Sequence, residues 1–372
     1  MKMNLVAFFL MLLLVMGTVI SSWAQSDSHI TPGGPWVTDT QEVKLDGFKN
    51  YEELIKTLEH IEKTSKGQVE LEVIGQSNQG RDNIVRNIVL AKVGNGSLPV
   101  MIMAQQHGNE IHGSGAALKV IKLLSSGSQR AKNILEELTI LIIARVNPDG
   151  HEFNQRVNDD PTAPPRKTSQ GFYTREGGWD INRFHYLDWT KSLVYNCCSG
   201  DYPANPVPEA QAVVSAYLNY QPIWVLDVHN QLTYRTDEGM NVTGSMLWPT
   251  NETVSAEAEE LSKQMVVIMM DHMRDFGYSE VTLYPSNDDY SGIARNAYGI
   301  AGSGSVLVEI KGQDEIGQKQ KGMLVRHITE MIMSLLEATA DGSLFNADDE
   351  RVEELPERGD RFSKDLPAND HE

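Results

Sequence analysis

Cysteine is almost absent from this chain. Its 372 residues include two, Cys197 and Cys198, and they are adjacent. Neighbouring side chains point apart along a helix or strand, so a bond between them is expected to be strained, and no disulfide framework is implied. Two thiols with no histidines at a suitable spacing also fall short of a zinc-thiolate site. Positive charge is scarce as well, and the formal net charge is −19. Phosphate binding needs a basic surface, which argues against nucleic acid as a partner. Beyond the N-terminus no stretch is long and apolar enough to span a bilayer. No internal repeat is visible. The HExxH helix of many metalloproteases is missing too, because His107 and His112 are five positions apart.

What is present begins with a secretory pattern. Lys2 precedes an almost wholly apolar run over residues 5–15, and Ser22-Trp23-Ala24 sets small residues before a cut after Ala24. The expectation is a signal peptide over 1–24, a secreted or periplasmic product and no membrane attachment after cleavage. Residues 25–41 read as an N-terminal extension and 42–340 as the catalytic domain. Residues 341–372, with 11 acidic and 4 basic side chains, read as a solvated, disordered tail. Oligomeric state is left open.

Hydrophobic residues make up 40% of the chain, enough for a large core. Branched residues mark strands over 69–74 and 84–93. The runs at 99–105 (PVMIMAQ), 138–146 (LTILIIARV), 223–228 and 306–310 are short, continuous and apolar, which reads as buried strand. Helical spacing covers 114–124, 208–217, 252–276 and 323–340. A polar stretch over 147–201 is long enough to suggest function. Apolar strands separated by helices predict a single α/β/α domain, its mainly parallel sheet covered on both faces. Ligands of such sheets gather at the carboxyl ends of the strands, which selects His107, Asn147, His229 and Glu309.

His107 and Glu110 follow one strand in the sequence His-Gly-Asn-Glu, and His229 closes another. Imidazole and carboxylate are donors that zinc favours, and a catalytic zinc takes three protein ligands and leaves one position open. A ligating imidazole usually donates its second N–H to a carboxylate, and Asp180 is the candidate at His107.

The ordered series Gly80-Arg81, His107-Gly108-Asn109-Glu110, Asn147-Pro148-Asp149-Gly150, Asp180-Ile181-Asn182-Arg183, His229 and Leu307-Val308-Glu309 resembles the zinc metallocarboxypeptidases of the carboxypeptidase A-like fold, the bacterial members most. The resemblance implies one α/β/α domain around a mixed, twisted sheet. It implies one zinc ion on His107, Glu110 and His229, with Glu309 as general base towards a zinc-activated water. A carboxylate beside acidified water can take its proton and pass it to a leaving amine. A glutamate closing the apolar run SVLVE is also unusual as a purely structural residue. Asn182 and Arg183 are implied as the clamp for a terminal carboxylate, which guanidinium matches at two points. The family also uses an oxyanion-stabilising arginine and a mobile tyrosine over the substrate. Arg156 is preferred over Arg166 for the first role, and Tyr290 over Tyr284 and Tyr298 for the second. Two departures stand out: Asn109 occupies the place of an arginine in pancreatic-type members, and residues 159–179 look inserted.

The leading functional expectation is a metallocarboxypeptidase acting on C-terminal peptide bonds. An amidase of the same fold, acting on cell-wall peptides or N-acyl amino acids, is the alternative, and a non-catalytic binding domain is a third. Arg295, Asp288 and Asp289 are the residues that could set side-chain preference. Met265, Met269, Met270 and Met273 are expected to fill core. His151, His185, His272 and His327 are expected at the surface or as satisfied core residues.

Overall fold

The computed structural model describes residues 48–164, 173–175, 177–276, 279–312 and 318–361. The signal and extension expected over 1–41, and Arg166, lie outside them. Helix α1 (Tyr51–Thr64) leads into strands β1 (Val69–Gln76), β2 (Asn87–Val93) and β3 (Leu98–Ala104). Helices α2 (His112–Leu124) and α3 (Gln129–Glu137), strand β4 (Leu138–Ile143) and the short helix α4 (Pro148–Glu152) follow. Next come the two-residue strands β5 (Thr174–Arg175) and β6 (Gly178–Trp179), helices α5 (Leu193–Cys198) and α6 (Pro208–Tyr220), and strands β7 (Trp224–Gln231) and β8 (Gly244–Leu247). The series closes with helix α7 (Ala256–Phe276), strand β9 (Val281–Leu283), helix α8 (Ala294–Ile300), strand β10 (Gly304–Lys311) and helix α9 (Gln318–Ala340).

Eight strands form one sheet in the order β1-β2-β4-β3-β7-β10-β8-β9. The centre, β4-β3-β7-β10, is parallel, while β1-β2, β2-β4 and β10-β8 are antiparallel. This is the mixed, helix-covered sheet expected from the sequence. Side chains alternate between two cores, as a two-residue period requires. On β3, Val100, Ile102 and Ala104 pack with α2, α7 and α9, whereas Met101 and Met103 pack with α6 and α8. The methionines of α7 fill the first core. On β7, Trp224, Leu226 and Val228 enter that core, so Asp227 and His229 face the other side. Val306, Val308 and Ile310 do the same on β10 and turn Glu309 to the side of His229. The parallel register then makes His229 and Glu309 direct neighbours across the two strands.

Several expectations need correction. β7 does not end at His229 but continues to Gln231, because its ladder to β10 extends to Lys311. β8 and β9 were not expected; at four and three residues they are too short to carry a periodicity. The acidic stretch from 341 is not a free tail as far as Arg361. It folds back through short 3₁₀ turns at Ser343–Asn346 and Asp349–Glu354 and buries Leu344, Val352 and Leu355 in the first core. Its carboxylates occupy the outward positions between those anchors, so net charge misjudged it. Cys197 and Cys198 are joined as a disulfide in the last turn of α5. No helix among the described residues is long and apolar enough to cross a membrane.

Candidate metal centre

The chain leaves β3 through Gln105, which has a left-handed backbone (φ 55°). Such a conformation persists only where its surroundings over-determine it. Here the Gln105 amide donates to Gly108 O at 2.8 Å, accepts from Arg145 Nε at 2.9 Å and lies 2.7 Å from His151 Nδ1. Asn147 braces the same turn: its Oδ1 accepts from Gly150 N, and its Nδ2 donates to the carbonyls of Gln106 and Arg156. Gly108 lies directly on the Gly150 backbone, and a Cβ on Gly108 would overlap it. A Cβ on Gly150 would in turn overlap the Asn147 amide, so both motifs need their glycine. Arg81 clasps Asp159 and Gln155 on the loop that carries Arg156, which gives the Gly80-Arg81 pair its structural meaning.

These turns bring His107, Glu110 and His229 together in a buried cluster whose donor atoms lie within 4.8 Å of one another. His107 Nδ1 is 2.7 Å from Glu110 Oε1, His229 Nδ1 is 2.7 Å from Glu110 Oε2, and the two Nδ1 atoms are 3.1 Å apart. A tetrahedral zinc with bonds near 2.1 Å sets its ligand atoms about 3.4 Å apart, so this donor set fits the ion with a spread of a fraction of an ångström. The outward nitrogens are tied back to carboxylates. His107 Nε2 is 3.1 Å from Asp180 Oδ1, and His229 Nε2 is 2.9 Å from Asp227 Oδ2. That is the carboxylate–histidine arrangement that aims a ring at a metal.

Electrostatics agree with a cation site. Burial pushes Glu110 up, but the imidazoles of His107 and His229 outweigh it and hold the carboxyl well below its usual range. Asp180 is likewise held low against its burial, first by Arg156 and then by His107 and Arg183. Burial pulls His229 down, yet Asp227 and Glu110 on its two sides raise it well above 6.5. Glu309 behaves differently. Burial, then the Glu110 charge, lift it to about 7 against the pull of His229, Arg156 and Arg358. Its Oε2 is buried and has no hydrogen-bond partner among the described residues. Arg156 donates from Nε to Asp180 at 3.0 Å and sets Nη1 3.5 Å from Glu110.

Asn182 lies in the short turn Ile181–Arg183, accepts from Ala294 N and holds its Nδ2 3.4 Å from His229 Nε2. Arg183 donates to Asn182 O and lies 4.0 Å from Asp288, with Tyr173 5.3 Å away. Its Nε has no partner among the described residues. Tyr290 packs edge-on against Tyr173 and Tyr186. Tyr284 lies instead near Glu309, whose charge and, above all, burial push its phenol up to about 12. Tyr298 is fully buried and bonds to His185, which removes it from any role over a substrate. Arg295 is committed to Thr250 and the Asp288 carbonyl. Sequence reasoning missed Arg358, which comes from the presumed tail, donates to Gln231 and acts on Glu309. It also missed Gln106 and His185, whose partners lie far off in the chain; for Asp227 the two-residue spacing to His229 on one strand face was an available signal.

A family model described as zinc carboxypeptidase matches residues 54–313. A search of curated proteins gives no match. Among solved structures, a metallo-carboxypeptidase from Burkholderia cenocepacia is 16% identical, with 80% of this chain and 71% of that chain covered and a TM-score of 0.56. Carboxypeptidase A from Helicoverpa armigera is 16% identical over 80% of this chain and 74% of its own, with a TM-score of 0.57. Bovine thrombin-activatable fibrinolysis inhibitor, in complex with tick carboxypeptidase inhibitor, is 16% identical over 80% of this chain and 98% of its own, with a TM-score of 0.57. At this identity the structural likeness speaks for the fold. The match over 54–313 goes further: the chain belongs to the zinc carboxypeptidase family and is a metallopeptidase hydrolase.

Proposed function

We propose that this protein is a one-zinc metallocarboxypeptidase that hydrolyses C-terminal peptide bonds, exported by a signal peptide over residues 1–24. His107, Glu110 and His229 hold the metal in this reading. Zinc bound there supplies acidity to a water and draws electron density from the scissile carbonyl. Glu309 takes a proton at its carboxylate and returns it to the departing nitrogen, a task suited to a group lifted to about 7. The products are a shortened peptide acid and a free amino acid, the elements of water having added across the C–N bond. Arg156, which Asp180 braces, stabilises in this reading the negative charge that gathers on the carbonyl oxygen. Asn182 and Arg183 bind the substrate's terminal carboxylate, and Tyr290, from the Tyr173–Tyr186 cluster, covers the residue being removed.

One observation carries the exopeptidase reading over an amidase whose substrate lacks a free carboxylate beside the scissile bond. Among the described residues Arg183, one residue beyond the Asn182 that touches His229, has a 4.0 Å contact to Asp288 as its one ion pair and an Nε without a hydrogen-bond partner. That cation suits a carboxylate next to the scissile bond. The test is a matched pair of peptides with free and amidated C-termini. The expected outcome is cleavage of the free acid and a loss of at least about a hundredfold on amidation, the scale for breaking a buried charge pair. Equal cleavage of both would favour the amidase.

A further inference from the structure

Five side chains from four separate segments form an unbroken hydrogen-bonded line into the metal centre. Tyr298, His185, Gln106, Asp227 and His229 are each 1% exposed or less. Tyr298 Oη is 2.8 Å from His185 Nδ1, and His185 Nε2 is 2.8 Å from Gln106 Oε1. Gln106 Nε2 is 2.7 Å from Asp227 Oδ2, and His229 Nε2 is 2.9 Å from the same oxygen. The Asp227 Oδ1 atom has no hydrogen-bond partner among the described residues, so this carboxylate is held by Oδ2.

The polarity of the line follows from its chemistry. The Asp227 Oδ2 atom accepts from the Gln106 amide nitrogen, which leaves the Gln106 oxygen towards His185. His185 therefore carries its hydrogen on Nε2, and its bare Nδ1 accepts from the Tyr298 hydroxyl. Burial draws His185 down to about 4, which keeps the ring neutral, with one donor and one acceptor. At the far end His229 gives its Nε2 hydrogen to Asp227, and its Nδ1 is the atom left to face His107 and Glu110.

We propose that Tyr298, His185 and Gln106 are positioning residues that set the placement of Asp227 and, through it, the tautomer and ring angle with which His229 meets zinc. This deepens the functional reading above and rests on His229 being a ligand.

The experiment measures zinc affinity by chelator competition and the ring-nitrogen NMR shifts of His185. Outer partners of ligating histidines typically contribute ten- to a hundredfold in metal affinity; His185 acts on such a partner through Gln106, so His185→Met is expected to weaken zinc binding by about tenfold, the lower end of that range. His185→Gln keeps a donor towards Gln106 and an acceptor towards Tyr298, and is expected to stay within about threefold of wild type, well inside the range for losing such a partner. Packing alone predicts the reverse order, since methionine adapts to an apolar site and a buried amide does not. In the isosteric Tyr298→Phe protein the His185 ring is expected to shift from a pure Nε2–H form to a mixture. Equal zinc affinity in the Met and Gln variants, or an Nδ1–H form of His185 in wild type, overturns the proposal. His229→Gln is the control. If wild type binds no zinc that this change removes, the functional reading itself has failed; if it does, a flat result at His185 sinks the positioning role alone.

Discussion

Glu209→Gln should stabilise this protein at alkaline pH and leave it unchanged in acid. Glu209, in the first turn of α6, is fully buried, and its carboxyl accepts from Asn158 Nδ2 at 2.9 Å. Burial lifts it from an ordinary 4.5 to about 7. Below pH 4.5 the native and unfolded chains both carry the proton, and the group is neutral to stability. Between 4.5 and about 7 the unfolded chain releases the proton and the native one keeps it, so stability falls as pH rises. Above about 7 both are ionised, and the full cost persists. At 1.36 kcal/mol per pH unit that interval corresponds to about 3 kcal/mol, with no discount for solvent at a fully buried site. Glutamine keeps an oxygen for Asn158 and never ionises. Denaturant unfolding of zinc-saturated wild type and variant is expected to coincide at pH 4 and to differ by about 3 kcal/mol at pH 8 in the variant's favour. In melting temperature that is about 5 °C for a domain of some 300 residues. Other titrating groups, the metal ligands included, are common to both proteins and cancel in the difference. Equal stability at pH 8, or a less stable variant there, refutes the reasoning.

The other two expectations concern the metal centre. Glu309→Gln should retain a full complement of zinc by metal analysis and lose about a thousandfold in turnover, the scale of lost proton transfer beside a metal; retained activity or lost metal refutes the base assignment. A chelator should abolish hydrolysis and lower the melting temperature, since zinc at a thousand times its dissociation constant adds about 4 kcal/mol. Added zinc should restore both, and His107→Ala should show neither response.

The sheet was legible because its central strands announce themselves by composition: 100–104 and 140–144 are apolar throughout, as strands buried on both faces must be. The segments that escaped notice are those whose identity is fixed by partners rather than by their own pattern. β8 is four residues long and exists because β10 offers a free edge to it. Residues 341–361 look like a tail by charge, yet three apolar side chains anchor them and carry Arg358 to Glu309. A net charge averages over the positions that decide the matter.

A similar asymmetry runs through the metal centre. His107 and Glu110 share one turn, so their spacing along the chain records a local geometry, and spacing is what a sequence displays. The line from Tyr298 to His229 joins residues brought together only when α8, β3, β7 and the turn after Arg183 have packed. Each residue taken singly has a bland explanation: a core tyrosine, a satisfied histidine, a polar residue ending a strand. What distinguishes them is direction. A carboxylate that only accepts fixes the amide beside it, the amide fixes an imidazole, and the imidazole fixes a hydroxyl. That inference needs distances between atoms whose residues lie as many as 121 positions apart, and it explains why histidines with no visible motif can still govern how a ligand presents its lone pair.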